Sequence, residues 1–322
     1  MSKSFQFLFV LASLTTISSA QTITQNFGAG ANAFSIDFVT IGNPGNAADT
    51  TGTPNPAGSV AYTYNIGKYE VSRDMVLKAS TAGGLGLTLQ DMSSYGTNGG
   101  SFPATGVSWY EAARFVNWLN TSTGGTAAYK FVGGAFTLWS AGDAGYNANN
   151  KFRNSLAKIV LPSTDEWYKA AYGSPIGTWY NYPTGSDTAP TPVTGGTAVN
   201  TAVYKPQNAP AEVTNAGGLS QFGTMAQGGN VMEWIETAFD GSNDLVDEAR
   251  AMRGGSWYSY TDLNSRDLAA SYSGSLSPTN EGLHVAGFRV AMIPEPSSLS
   301  LLVLGGVVVM AGRRRNCGNE DS

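Results

Sequence analysis

The sequence of 322 residues predicts an α+β domain with modest regular secondary structure. It contains 40 glycines, 14 prolines, 15 tyrosines and 7 tryptophans, whereas charged residues make up only 13%. Such a chain builds its core from aromatic side chains and glycine-shaped turns more than from long amphipathic helices. The strand and helix patterns are also short and few. Residues 21–293 are long enough for one large domain or two small ones.

Short alternating patterns predict the strands. Polar and apolar residues alternate from Phe34 to Val39, as expected for a half-buried strand. A stretch rich in Asn, Pro and Gly continues to Pro56 and predicts turns. Residues 60–71 then return to an extended, aromatic-rich pattern.

Two capping boxes predict helices. Ser108 is followed three residues later by Glu111, and Ser163 is followed by Glu166. Asp165 and Glu166 fall in the first helical turn, where the helix dipole favours negative charge, so structure alone accounts for them. Apolar residues at helical spacing follow each box: Ala112, Phe115, Val116 and Leu119 after the first, and Trp167, Ala170 and Ala171 after the second.

The stretch from Gly173 to Gly229 is dominated by Gly, Pro, Thr and Asn. It is too long for an ordinary loop of a folded domain. We therefore expect it to be held in place by bound ions or by short strand pairs.

Both ends of the chain are predicted to be sorting signals. Residues 1–20 carry Lys3, an apolar run over 5–14, and the small residues Ser18 and Ala20 before Gln21, as in a secretory signal peptide. A buried first helix would need neither the basic start nor the small-residue end.

The C-terminal segment, 294–322, has three ordered parts: Pro294, Glu295 and Pro296, then an apolar span over 299–312, then Arg313, Arg314 and Arg315. The span is short for a full membrane crossing, although the arginines can snorkel and favour a cytoplasmic end. A short core helix is the alternative, but such a helix rarely ends at three consecutive arginines.

This order resembles the PEP-CTERM sorting signal of Gram-negative bacteria. The resemblance implies transient anchoring in the inner membrane and cleavage near Pro294 by an exosortase-type protease. Delivery to the cell surface or extracellular matrix would follow.

Charge and cysteine content exclude several classes of function. The formal net charge is −5, which argues against nucleic acid as a partner. The single cysteine, Cys317, lies in the C-terminal segment. Residues 21–293 therefore contain no disulfide, thiolate ligand or cysteine nucleophile.

Six segments between residues 60 and 292 together resemble the formylglycine-generating enzyme, or sulfatase-modifying factor, family. Each segment is weak alone, but all six occur in the family's order. The resemblance implies an irregular, C-type-lectin-like α+β fold. The segments are Tyr64–Ser72, Pro103–Leu119, Leu161–Trp167, Gly229–Trp234, Arg253–Trp257 and Gly287–Val290.

Enzymes of that family use two cysteines to bind copper and activate oxygen, and the matching positions here hold Ser259 and Asn264. Neither side chain is a soft sulfur ligand for Cu(I), so we expect no copper and no oxidase chemistry. A serine nucleophile would need a base, and the only histidine is His284, which lies in a turn-rich segment typical of surface residues.

The resemblance also implies calcium, with Glu233 and Asn230 in one site and Asn200 in a second. Hard oxygen ligands suit Ca²⁺ in an exported protein. The alternative for Glu233 is a salt bridge to Arg253 or Arg289.

Two functions remain open. In the first, the chain is a non-catalytic surface module whose loop over residues 256–277 binds a glycan, peptide or protein, because Tyr, Ser and Asn suit adaptable recognition. In the second, it is an enzyme of the family with thiol-free chemistry, although one histidine cannot supply a two-histidine iron site. The same loop could also be ordinary solvated surface. The candidate ligand-binding residues are Trp257, Tyr258, Tyr260 and Arg266.

Overall fold

A computed structural model describes residues 21–204, 207–258 and 264–294. Three α-helices and thirteen short strands occur in these ranges, in agreement with the predicted α+β class. No helix within them is both long and apolar enough to cross a membrane. The predicted signal peptide and, apart from Pro294, the predicted C-terminal signal lie outside the described residues.

The larger sheet has five strands in the order β1-β2-β3-β13-β6, and every neighbouring pair is antiparallel. The predicted strand at residues 34–39 is confirmed as β2, whereas only the middle of residues 60–71 forms a strand, β3. The strands are β1 Thr22–Phe27, β2 Phe34–Ile41, β3 Tyr64–Gly67, β6 Ile159–Val160 and β13 Ala291–Met292.

The second sheet has four strands in the order β11-β10-β9-β12. Two further pairs, β4 with β5 and β7 with β8, lie outside the main sheets. The strands are β4 Lys130–Val132, β5 Ala135–Thr137, β7 Thr191–Pro192, β8 Thr201–Ala202, β9 Met232–Ala238, β10 Arg250–Arg253, β11 Gly274–Leu276 and β12 Ala286–Gly287.

Both predicted helices are confirmed, as α2, Trp109–Thr121, and α3, Thr164–Tyr172. Each begins with a complete capping box at Ser108 or Ser163. A third helix, α1, spans Arg73–Gly83 and was not predicted. Its N-cap Ser72 accepts a hydrogen bond from the Met75 amide, and few apolar residues mark its buried face.

Short strand pairs hold the described residues of the 173–229 stretch in place. Besides the β7–β8 pair, isolated bridges join Gly173 to Trp179, Gly196 to Ala216, and Leu219 to Met225. The short strand pairs expected from the sequence are therefore present in this stretch.

The core is built on aromatic side chains, as the composition predicted. Trp109, Trp167, Trp234 and Trp257 are all fully buried, and each indole N–H donates to an acceptor in a distant segment. Trp109 donates to the Ile235 carbonyl at 3.0 Å, and Trp167 donates to the Glu233 carboxylate at 2.6 Å. Trp234 donates to the Val107 carbonyl at 2.7 Å, and Trp257 donates to the His284 carbonyl at 3.0 Å. Each tryptophan therefore contributes apolar area and also fixes one segment against another.

Two buried cations lie beside this aromatic core. Arg153 forms an ion pair with Glu166 at 2.9 Å and with Glu236 at 2.7 Å, so the N-terminal end of α3 is joined to β9. Arg250 instead places its guanidinium carbon 4.0 Å from the ring centroid of Phe152 and 4.6 Å from that of Trp109. Burial lowers the pKa of Arg250 to about 10, and the aromatic faces offset part of that cost.

Candidate functional site

A tight turn after β10 positions Trp257, the central residue of the candidate site. Gly254 and Gly255 have φ angles of +97° and +65°. A Cβ atom on Gly254 would lie 2.9 Å from the Gln227 carbonyl oxygen, so only glycine permits this approach of two backbones. The turn brings Trp257 onto the segment before β9, where its amide donates to the Asn230 carbonyl at 2.7 Å.

Trp257 is fully buried, with an exposed fraction of 0%. We therefore assign it a supporting role beneath the surface, instead of the ligand contact expected from the sequence. Among the described residues, three partly exposed rings surround it, those of Tyr95, Tyr258 and His284. Their centroids lie 5.1, 5.1 and 5.5 Å from that of Trp257, and we call the four residues the aromatic cluster.

Sequence reasoning missed Tyr95 and did not connect His284 with Trp257. Tyr95 belongs to a short 3₁₀ helix, Ser93–Tyr95, outside all six family-like segments. His284 lies 5.3 Å from the Tyr95 ring and 5.1 Å from the Tyr258 ring. Only the tertiary fold brings these rings together, and no local pattern marks them.

The backbone beside the cluster is strained. Leu283 has a φ angle of +49°, which is an outlier for a bulky residue, and its side chain is 62% exposed. The Nε2 atom of His284 is buried and has no hydrogen-bond partner among the described residues. Burial lowers the pKa of His284, which favours the neutral ring. Strain and an unpartnered polar atom together mark this segment as a candidate site.

Of the other predicted ligand contacts, Tyr258 belongs to the cluster and Arg266 does not. Ser259 and Tyr260 lie outside the described residues, and Asn264 begins a 3₁₀ helix, Asn264–Leu268. Arg266 is on the surface, where its guanidinium lies 3.3 Å from Asp267 and 5.6 Å from the Tyr272 ring centroid.

Glu233 forms a buried ion pair beneath the cluster. Both its carboxylate oxygens accept from Arg289, at 2.6 and 2.5 Å, and one also accepts from the Trp167 indole. Arg289 donates further to the carbonyls of Gly67 at 2.9 Å, Lys68 at 3.4 Å and Met225 at 2.8 Å. Both side chains have 0% exposure, and all five guanidinium donors are used.

Asn230, three residues before Glu233, binds a second buried carboxylate. Its amide nitrogen donates to Glu70 at 2.6 Å, and its side-chain oxygen accepts from the Ala211 amide at 2.8 Å. The Val231 amide donates to the other Glu70 oxygen at 3.1 Å. Burial and the nearby charge of Glu233 raise the pKa of Glu70 to about 8, which favours its protonated form.

The six family-like segments are therefore joined by specific contacts in three dimensions. A family model described as the sulfatase-modifying factor enzyme 1-like domain matches residues 37–293. This match covers well over half of the chain. The chain belongs to the sulfatase-modifying factor family.

Three solved structures with this fold are similar to the chain, each at 18% sequence identity. Treponema denticola variable protein 1 has a TM-score of 0.50, and the match covers 84% of this chain and 99% of that protein. CarF has a TM-score of 0.55, with coverage of 81% and 99%. PvdO from Pseudomonas aeruginosa has a TM-score of 0.51, with coverage of 84% and 98%. At this identity the likeness shows the fold alone. No curated protein sequence matches the chain.

Calcium does not fit the first implied family site as its side chains are arranged. Both oxygens of Glu233 already bind a guanidinium, and the side-chain oxygen of Asn230 already accepts from Ala211. The ion pair with Arg289, left open by the sequence, is the arrangement present, whereas Arg253 donates to the Tyr272 carbonyl. One carboxylate and three carbonyls thus surround Arg289, which supplies the positive charge that a metal ion would otherwise supply.

The second implied calcium position is Asn200, whose side-chain oxygen accepts from Thr184 at 2.7 Å. Thr184 lines a cavity of about 10 Å³ together with Ser220, Thr224 and Gln227. These neutral oxygens suit a water molecule better than a divalent cation. Across the described part of the chain, no three acidic, histidine or cysteine side chains form a group able to hold a metal ion.

Replacing Arg289 should destabilise the domain strongly. Arg289→Met leaves Glu233 buried without its cation, and breaking such a pair costs about 3–5 kcal/mol. Urea unfolding of purified protein would measure this, with Arg266→Met as the surface control, expected within about 1 kcal/mol of wild type. Equal stability of the two variants would contradict a structural role for the pair.

Removing calcium should leave the melting temperature unchanged, because Arg289 already neutralises Glu233. Melting curves with added calcium and with chelator would test this. At a free calcium concentration 100 times the Kd, a calcium site would add about 2.7 kcal/mol to the free energy of unfolding, which is readily detected. Such a gain, lost in Glu233→Gln, would reinstate the calcium site implied by the family resemblance.

The free energy of unfolding should fall with rising pH because of Glu70. Between the unfolded pKa of 4.5 and the folded pKa of about 8, the folded chain holds a proton that the unfolded chain has lost. The stabilising contribution is therefore complete below the unfolded pKa and is lost as pH rises through the folded pKa.

Glu70→Gln removes this titration, so its stability should depend less on pH over this window than that of wild type. Glu281→Gln is the control, because Glu281 is exposed. Denaturant unfolding across the window provides the measurement. A Glu70→Gln profile parallel to that of wild type would refute the assignment.

Proposed function

We propose that the domain is a non-catalytic binding module built on the sulfatase-modifying factor scaffold. The observation that carries this proposal is the aromatic cluster, in which three partly exposed rings rest on the buried ring of Trp257. A rigid buried support under exposed rings lowers the entropy cost of binding at those rings.

The chemistry of the family's catalytic positions supports a non-catalytic role. Ser259 and Asn264 replace the two cysteines, and the only cysteine of the chain, Cys317, lies in the C-terminal segment. A serine nucleophile would need a base that is itself oriented by a third group. No described carboxylate is hydrogen-bonded to the His284 side chain.

An enzyme with thiol-free chemistry is the second candidate, and the unpartnered Nε2 atom of His284 is what favours it. Incubating the purified protein with copper, oxygen, reductant and a Cys-x-Pro-x-Arg peptide tests whether it retains the reaction implied by the family resemblance. Formylglycine in that peptide, detected by mass spectrometry, would establish catalysis.

The ligand we propose is an extracellular glycan or protein, with a glycan favoured. The rings of Tyr95 and Tyr258 offer apolar faces next to hydroxyl groups, and no charged side chain belongs to the cluster. A net charge of −5 opposes binding to nucleic acid.

Export would place the module where such ligands occur. We propose that residues 1–20 direct secretion and that the segment from Pro294 anchors the chain transiently in the inner membrane. An exosortase-type protease would then release it to the cell surface or extracellular matrix. The order of Pro294–Pro296, an apolar span and three arginines supports this proposal.

Alanine substitution in the cluster should weaken glycan binding. Binding of labelled protein to an array of bacterial polysaccharide fragments should fall about tenfold or more, equivalent to about 1.4 kcal/mol, in Tyr258→Ala and in Tyr95→Ala. Tyr146→Ala is the control, because Tyr146 lies on a loop outside the cluster. No binding by wild type, or equal loss in the control, would argue against the proposal.

Processing of both ends should be visible in the mass of the native protein. Intact-mass spectrometry of protein recovered from the cell surface should show a chain that begins near Gln21 and ends near Pro294. A cytoplasmic species that retains both Met1 and Ser322 would rule out export.

A further inference from the structure

A cavity of about 560 Å³ lies at the C-terminal end of α2, and none of its lining residues belongs to the aromatic cluster. Strands β1 and β6 occupy opposite edges of the five-stranded sheet, yet Phe27 of β1 and Ile159 of β6 both line this cavity. The sheet therefore curls until its two edges approach one another across the space. The cavity volume falls within the range typical of small-molecule sites.

A side chain closes the edge of β6, so the cavity is not simply the gap left by a missing strand. The Asn120 amide donates to the Ile159 carbonyl at 2.7 Å and accepts from the Ile159 amide at 2.9 Å. Its remaining bonds go to the Val116 carbonyl and the Lys158 amide. An added strand would find these backbone groups already bonded, which favours a small molecule over an extended peptide.

The floor of the cavity is apolar. Phe27, Ile159 and Met292 line it with exposed fractions of only 2%, 3% and 7%. Leu156 stands at the rim and is 48% exposed, although it is a large aliphatic side chain. An alkyl or aryl body placed here would cover both the floor and Leu156.

The polar lining groups are hydrogen-bond donors or neutral. Lys158 is exposed and carries the only charge among the described lining residues, and none of the described residues forms an ion pair or hydrogen bond with its ammonium group. The side chains of Gln25 and Thr126 likewise have no hydrogen-bond partner in the ranges that the structure describes.

The negative end of the α2 dipole does not cancel the positive charge of Lys158. A helix end carries about half a negative charge, which is less than the full charge of a lysine. The carbonyls of Asn120 and Thr121 also accept hydrogen bonds from the amides of Gly125 and Gly124, which occupies them. The net field in the cavity therefore favours an anion.

We propose that this cavity binds a small amphipathic carboxylate, with the carboxylate at Lys158, Gln25 and Thr126 and the apolar body on Phe27, Ile159 and Met292. The apolar floor, the ammonium without a described partner and the absence of an acidic side chain from the described lining residues define this class together. A neutral molecule of the same length would leave Lys158 unpaired, and a cationic one would be repelled.

Octanoate is a suitable probe, with octan-1-ol and octylammonium as neutral and cationic compounds of equal chain length. Isothermal titration calorimetry on the purified full-length protein should show saturable binding of octanoate. Binding of the other two should be about tenfold weaker or more, because a charge-assisted hydrogen bond is lost.

Two substitutions localise the site. Lys158→Met keeps the length of the side chain but removes its charge, and should weaken octanoate about tenfold. Lys151→Met is the matched control, because Lys151 does not line the cavity, and should bind as wild type does. Thr126→Trp adds bulk at the proposed carboxylate position and should weaken octanoate about tenfold or more while leaving the melting temperature near that of wild type.

Equal affinity for octanoate and octan-1-ol, or equal affinity in the two lysine variants, would overturn the ligand class. Absence of octanoate binding, or binding unaffected by Thr126→Trp, would overturn the site itself.

Discussion

The buried ion pair between Arg289 and Glu233 is the constraint on which the candidate site depends. Through it, the segment between β12 and β13 is fixed to β9, to the end of β3, to Met225 and, through Trp167, to α3. Desolvating two charges is costly, and the cost is offset here because every donor of the guanidinium is satisfied. Asn230, three residues before Glu233, then holds the backbone of Trp257. The partly exposed rings therefore rest on a hydrogen-bonded polar framework.

Buried polar groups, together with apolar packing, position the backbone segments of this fold. Charged residues are only 13% of the chain, yet several of them are fully buried, among them Glu233, Glu236, Arg250 and Arg289. With few long helices or strands, backbone segments must be positioned individually, and directional bonds do this better than non-directional apolar contact. The four tryptophan N–H groups serve the same purpose, since each joins segments far apart in sequence.

Local chemistry made parts of this structure predictable from the sequence. The boxes at Ser108 and Ser163 involve residues three positions apart, so α2 and α3 could be placed without knowledge of the fold. Helix α1 escaped prediction because only Val76 and Ala79 form its buried apolar face. The partner of Glu233 could be narrowed to Arg253 or Arg289, but both lie within family-like segments. Arg253 is the residue opposite Glu233 in the sheet, yet it donates to the Tyr272 carbonyl, so only the tertiary side-chain contacts identify Arg289 as the partner. Tyr95 carries no sequence signal, because its neighbours in the cluster lie far away along the chain. The predicted sites at Ser259 and Tyr260 lie outside the described residues.

The register of the larger sheet places the two ends of the domain side by side. Gln21 accepts from Thr40, Thr40 lies opposite Asn65, and Asn65 lies opposite Met292, so the chain enters and leaves in one row across the sheet. Three strand spacings separate the two points, about 14 Å. The segments before Gln21 and after Pro294 therefore begin on the same row of the sheet, close to Gln25 and Met292, which both line the cavity at the end of α2. A partner domain fused at either end would begin beside that cavity.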